Sequence, residues 1–133
     1  MELTFENVKK IKNETNNRLV SRVCRYIISN WDYHDNKKDI FLNVMNDGCK
    51  SGACHDLICY GQTKRFYEDY ENEINELLVN LLKDCGCESP SKLFGDNWDN
   101  TDPLAREEHN QNLLAWFAFK ETMWKVASEF DIW

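Results

Sequence analysis

Apolar and polar residues alternate along this chain with a helical period almost everywhere they show a period at all. The heaviest stretch is the last third, LLAWFAFKETMWKVASEF from Leu113. Stepped at the helical angle, Leu113, Trp116, Phe117, Phe119, Met123, Trp124, Val126, Ala127 and Phe130 fall on one half of a cylinder, and Thr122, Lys125, Ser128 and Glu129 on the other. So heavy an apolar face has to be buried, in the chain's own core or against a partner.

The rest of the chain reads the same way. Thr4 can cap an opening helix over 5–13. A second helix is predicted from Asn16 to Trp31, with Leu19, Val20, Val23, Cys24, Tyr26, Ile27 and Trp31 along its apolar arc. A polar loop, 32–38, leads to a short helix over 39–46 carrying Ile40, Phe41, Val44 and Met45, stopped by Gly48. After a turn at 50–52, residues 53–60 read as a further short helix. Thr63 then opens a long helix to Asp84, with Phe66, Tyr67, Tyr70, Ile74, Leu77, Leu78 and Leu81 inward, and Gly86 ends it. Ser89-Pro90 starts one or two turns through Phe94, 95–102 is a loop holding Trp98, and Asp102-Pro103 launches the terminal helix, with a break expected near Asn110. No segment alternates cleanly enough to be a strand. The expectation is an all-α fold: a compact bundle of four or more amphipathic helices joined by short turns.

A length of 133 residues suits one helical domain spanning 1–133, large enough to bury a core without staples. Net charge is −7 and unevenly spread, +2 over residues 1–50 and −9 over 51–133. An acidic chain has little general attraction for nucleic acid or anionic lipid, so direct nucleic-acid binding is disfavoured, while a basic groove on another protein suits it. No apolar run reaches the roughly 20 residues needed to cross a bilayer, and MELTFENVKK lacks the apolar stretch of a secretory signal. A cytoplasmic location is expected, with the six cysteines reduced.

Candidate chemistry is sparse. Cys49, Cys54, His55 and Cys59 cluster, and Cys85-Gly86-Cys87 follows; thiolate and imidazole are zinc's preferred ligands, yet there is no CxxC pair and the spacing fits no common zinc module. The thiols read first as buried or loop cysteines without a role, and no cofactor is expected. Cys54 beside His55 is poorly placed as a catalytic dyad, because adjacent helical residues diverge by about 100°. Glu68, Asp69, Glu71, Glu73 and Glu76 put five carboxylates in nine residues. Glu68, Asp69, Glu73 and Glu76 are expected to project outward, either simply solvated or facing a basic partner. Arg18, Arg22 and Arg25 form a basic stripe on the second helix, the best local candidate for nucleic-acid contact. Lys120 stands one turn from both Trp116 and Trp124, its stem expected to lie along the apolar face with the ammonium in water. Phosphate-binding, nucleophile-elbow, metalloprotease and DNA-reading motifs are missing, and no enzymatic activity is expected.

Two blocks resemble an uncharacterised family of small proteins from phages and plasmids of Gram-positive bacteria. One holds Gly48, Cys49, Ser51 and Gly52, then Ile58, Tyr60, Thr63 and Phe66; the other is the run from Asn112 to Thr122, where Lys120 departs from the acidic residue usual at that place. On this resemblance, residues 47–133 are the family-like core and 1–46 variable N-terminal helices. It implies a setting rather than a reaction: small acidic proteins of mobile elements often inhibit host defence, in the manner of anti-CRISPR or anti-restriction proteins. The expected partner is a host defence protein or nucleoprotein complex, met by protein–protein contact.

Overall fold

The computed structural model describes residues 1–45, 63–89, 92 and 103–132, with side-chain surroundings from Arg65 and from Asn110 onward in the last two stretches. Among these residues the fold is all-α. Its helices are α1 (Phe5–Glu14), α2 (Arg18–Ser29), α3 (Lys38–Met45), α4 (Thr63–Asp69), α5 (Glu71–Cys85) and α6 (Pro103–Glu129), with a 3-10 turn at Trp31–Tyr33. The expected helix over 53–60, the turn at 50–52, the Gly48 stop and Trp98 lie outside the described residues.

The chain divides into two compact units, Met1–Leu57 with Phe119–Trp133, and Ile58–Ala118. In the first, α1 begins where Thr4 Oγ1 accepts the Asn7 amide at 3.1 Å, and it lies against α2. The start of α2 is set by Asn17, whose Oδ1 accepts the amides of Leu19 and Val20 at 2.9 and 3.3 Å. Its end is set by Asn30, whose side chain returns to the Tyr26 carbonyl at 2.9 Å, so Trp31 passes into the 3-10 turn. Lys37 Nζ then donates to the carbonyls of Trp31 and His34 and sits 5.2 Å from the Trp31 ring centroid, closing the loop before α3. The core of this unit is Val8, Leu19, Val20, Val23, Cys24, Ile27, Ile40, Phe41, Val44, Met45, Phe119, Met123, Val126, Ala127 and Phe130, all buried. Aromatic contacts tie its elements: Phe5 with Trp31 at 5.9 Å, Tyr26 with Phe119 at 5.6 Å and Phe41 with Phe130 at 6.1 Å.

The second unit departs from expectation at Tyr70. The helix expected to run unbroken over 63–84 is divided there, at φ −121° and ψ 21°. The backbone bonds persist across the break, from the Tyr70 amide to Phe66 and from the Ile74 amide to Tyr70. The turn lets the Tyr70 ring lie 4.9 Å from Phe66. It also opens a new helix whose first turn holds Glu71 and Glu73, which complement the positive end of the helix dipole. Phe66, Tyr67 and Ile74 are buried, whereas Leu77, Leu78 and Leu81 are only half-buried. Gly86 ends α5 at φ 67°, as its place in the sequence predicts.

In α6 the break expected near Asn110 does not occur: the helix is continuous through it, and Asn110 is buried. Thr122 is also buried, although the sequence assigns it to the polar half. The buried stripe runs through Ala115, Phe119, Thr122 and Val126, flanked by Ala118, Met123 and Phe130, while Phe117 and Trp124 are half-buried at its margins. Ring size alone does not centre the face: Trp116, Phe119 and Phe130 are buried, but so are the small Ala115, Ala118 and Thr122, whereas Phe117 and Trp124 are not.

Candidate interaction surface

The acidic cluster sits on α4 and the first turns of α5. Glu68, Asp69, Glu71 and Glu76 are exposed, as their spacing predicts. Asp69 Oδ2 lies 3.9 Å from Arg65 Nε, an exposed i,i+4 pair of small energetic weight. Glu73 corrects the sequence reading. It is half-buried, and one of its carboxylate oxygens is wholly shielded from solvent. The reason is register: Glu73 is three residues after Tyr70 and four before Leu77, in the row of the partly covered apolar side chains. The outward acidic face therefore consists of Glu68, Asp69, Glu71 and Glu76.

The basic stripe is also divided. Arg18 and Arg25 are exposed, but Arg22 is half-buried, its guanidinium 5.9 Å from the Phe119 ring centroid. Tyr26, one turn further along α2, meets the same ring edge-on. The signal for this cluster was the Arg22–Tyr26 spacing of one helical turn, which places a cation and a ring beside whatever α2 covers.

Of the cysteines, Cys24 is fully buried among the α2 core residues, and burial pushes its thiol up to about 11, against a smaller downward pull from the Lys12 charge. That thiol is inert in the folded state. Cys85 is exposed and Cys87 half-buried. Cys49, Cys54, His55 and Cys59 lie outside the described residues. Among the described residues no three His, Cys, Asp or Glu side chains come together as a metal would need.

Lys120 is half-buried between a buried Trp116 and a half-buried Trp124 in the sequence of α6. Beside it Glu121 is half-buried, and its carboxyl is raised above the ordinary value, by burial first, with the Lys120 charge opposing. A shallow pocket of about 180 Å³ lies at the α1–α2 corner, floored by Ile11, Val20 and Val126 and rimmed by Asn17, Lys125 and Glu129. It is smaller than the roughly 300–1,000 Å³ of ordinary small-molecule sites, and neither a cysteine, a serine nor a histidine is among the residues that line it. Among the described residues no helix is long and apolar enough to cross a membrane.

The profile described as "Domain of unknown function (DUF7222)" matches residues 8–132. The chain belongs to the DUF7222 family. The match begins within α1 and continues almost to the end of the chain, so the DUF7222 domain takes in all of α2 to α6. No curated protein and no solved structure matches it.

Proposed function

We propose that this DUF7222 protein is a non-enzymatic, cytoplasmic binding protein of a mobile genetic element, which engages a basic surface of a host defence nucleoprotein complex and inhibits it. The observation that carries this reading is the outward acidic face on α4 and α5. Glu68, Asp69, Glu71 and Glu76 are all exposed within nine residues, in the part of the chain, 51–133, that carries −9 against +2 for the rest. Such a face attracts a groove lined by lysine and arginine and speeds encounter with it. The mobile-element setting rests on the sequence resemblance; the surface chemistry rests on the exposed carboxylates.

Direct nucleic-acid binding is the second reading, and the geometry favours it less. With Arg22 turned to Phe119, it would rest on Arg18 and Arg25. A mobility-shift titration at low salt that shows no complex removes it.

The test of the leading reading is capture of partners from a host lysate by the wild-type protein and by a variant carrying Glu68→Lys, Asp69→Lys and Glu76→Lys. The expected result is a nucleoprotein complex held by the wild type, released as salt rises, and lost in the variant while its helical circular dichroism is unchanged. Equal capture by the two proteins overturns the proposed surface.

A further inference from the structure

We propose that the Cys85-Gly86-Cys87 turn is a two-thiolate site for a single soft monovalent metal ion, of which Cu(I) is the biological representative. This is independent of the acidic face and of the proposed partner. The turn is rigid. Gly86 stands in the left-handed region at φ 67°. Its amide bonds the Lys83 carbonyl at 3.2 Å and the Cys87 amide bonds the Leu82 carbonyl at 2.9 Å. That pair of bonds is the Schellman arrangement, which fixes the residues on either side of the glycine with respect to each other. The two thiols are thus presented from one pinned turn.

Cys87 Sγ doubles back over the glycine to 4.0 Å from the Cys85 carbonyl oxygen. Cys85 is exposed at the end of α5, so its sulfur can move between the two staggered rotamers a helix allows, and an ion can reach it. Three or four converging ligands, as zinc needs, are not found among the described residues. A d10 monovalent ion is satisfied by two thiolates in a near-linear arrangement, and soft sulfur ligands select it over harder divalent cations. Asp84 and Glu88, both exposed, flank the turn and favour cations nearby without having to ligate them. Binding is an exchange: each thiol gives its proton to solvent, two protons leave per ion, two metal–sulfur bonds form, and the metal keeps its oxidation state.

The probe is Cu(I) supplied anaerobically to the reduced full-length protein against a competing chromophoric chelator. Cys85→Ser, Cys87→Ser and the double variant are run in parallel, with circular dichroism as the check on folding. The other cysteines are common to all four proteins, so the differences report the turn alone. The expected result is that either single substitution removes the same one equivalent of bound copper, or weakens it about 100-fold through loss of the second ligand's effective concentration. The double variant should then lose no more than either single. Identical titration of all four proteins, or losses that add in the double variant as they would for two independent thiols, overturns the proposal.

Discussion

The two compact units differ in how far each uses the apolar residues it has. In the unit built from α1, α2, α3 and the end of α6, the inward positions of α2 and α3 are buried almost without exception, and Phe41, Phe119, Ile27 and Met123 are essentially inaccessible. In α4 and α5 the same kind of spacing yields only Phe66, Tyr67 and Ile74 as buried residues, and Val79 is 49% exposed. Similar amphipathic patterns thus give unequal packing. An apolar stripe reports that a helix has a side to cover; it does not report how completely the neighbours cover it. The outward acids sit on the less covered helices, where side-chain changes disturb the fold least. That separation of core from the proposed contact surface is what makes the charge-reversal test interpretable.

The largest effect should come from cutting into the well-covered unit. Phe119→Ala removes a buried ring that meets Tyr26 edge-on and lies under Arg22, and should cost about 3–5 kcal/mol in chemical denaturation. Leu78→Ala, at a half-buried position of α5, should cost about 1 kcal/mol, since little of the side chain leaves a dry environment. Equal losses at the two positions would break the contrast between the units.

Next in size is a pH effect confined to the same core. The Cys24 thiol moves from an ordinary value of 9.0 to about 11 on folding. A group whose proton is held more tightly in the folded state contributes its stability in full below the unfolded value and loses it as pH rises through the folded one. Stability should therefore fall between about pH 9 and pH 11 by an amount on the order of 2–3 kcal/mol. Cys24→Ala, whatever its cost at neutral pH, should remove that part of the alkaline decline. A thiol reagent at neutral pH should modify Cys85 readily and reach Cys24 only on unfolding. An alkaline profile that is the same for both proteins would show that the thiol is not shielded as its burial implies.

How much of this was legible in the sequence follows the same division. Caps and stops were legible because they are local: Thr4 and Gly86 act through atoms a few residues away. The core of α3 was legible because Ile40, Phe41, Val44 and Met45 leave a short helix no other side to bury. What failed depended on neighbours. The division at Tyr70, the inward turn of Glu73, the burial of Thr122 and the capture of Arg22 by Phe119 all depend on which residues come alongside. The charge pattern pointed to the right helices for the exposed acids, but the sign of a side chain says nothing of its register, and Glu73 and Arg22 were both misread for that reason.

A finer comparison separates the ends of the two longest helices. Both α5 and α6 close with a left-handed residue bracketed by two backbone bonds. At α6 these are the Asp131 amide to Ser128 and the Ile132 amide to Ala127, each 3.4 Å. At α5 the left-handed residue is Gly86, and a Cβ built there meets nothing within 4 Å, so Gly86→Ala isolates the backbone penalty. It should destabilise by about 1 kcal/mol, read as a lowered denaturation midpoint.

At α6 the left-handed place is taken by Asp131, at φ 54°. Aspartate tolerates that region better than most side chains but not as well as glycine. Asp131→Gly should therefore recover part of the penalty, while losing the exposed ion pair between Asp131 and the Met1 ammonium at 3.9 Å. A pair so exposed contributes roughly 0–1 kcal/mol at low salt and less at high salt. The net change should be close to zero at low ionic strength. It should become a gain of about 0.5 kcal/mol at high ionic strength, where only the backbone term survives. Denaturation midpoints for the two proteins across a salt series give the sign directly. A glycine variant that loses stability at every salt concentration would mean that the aspartate side chain supports this helix end beyond its charge.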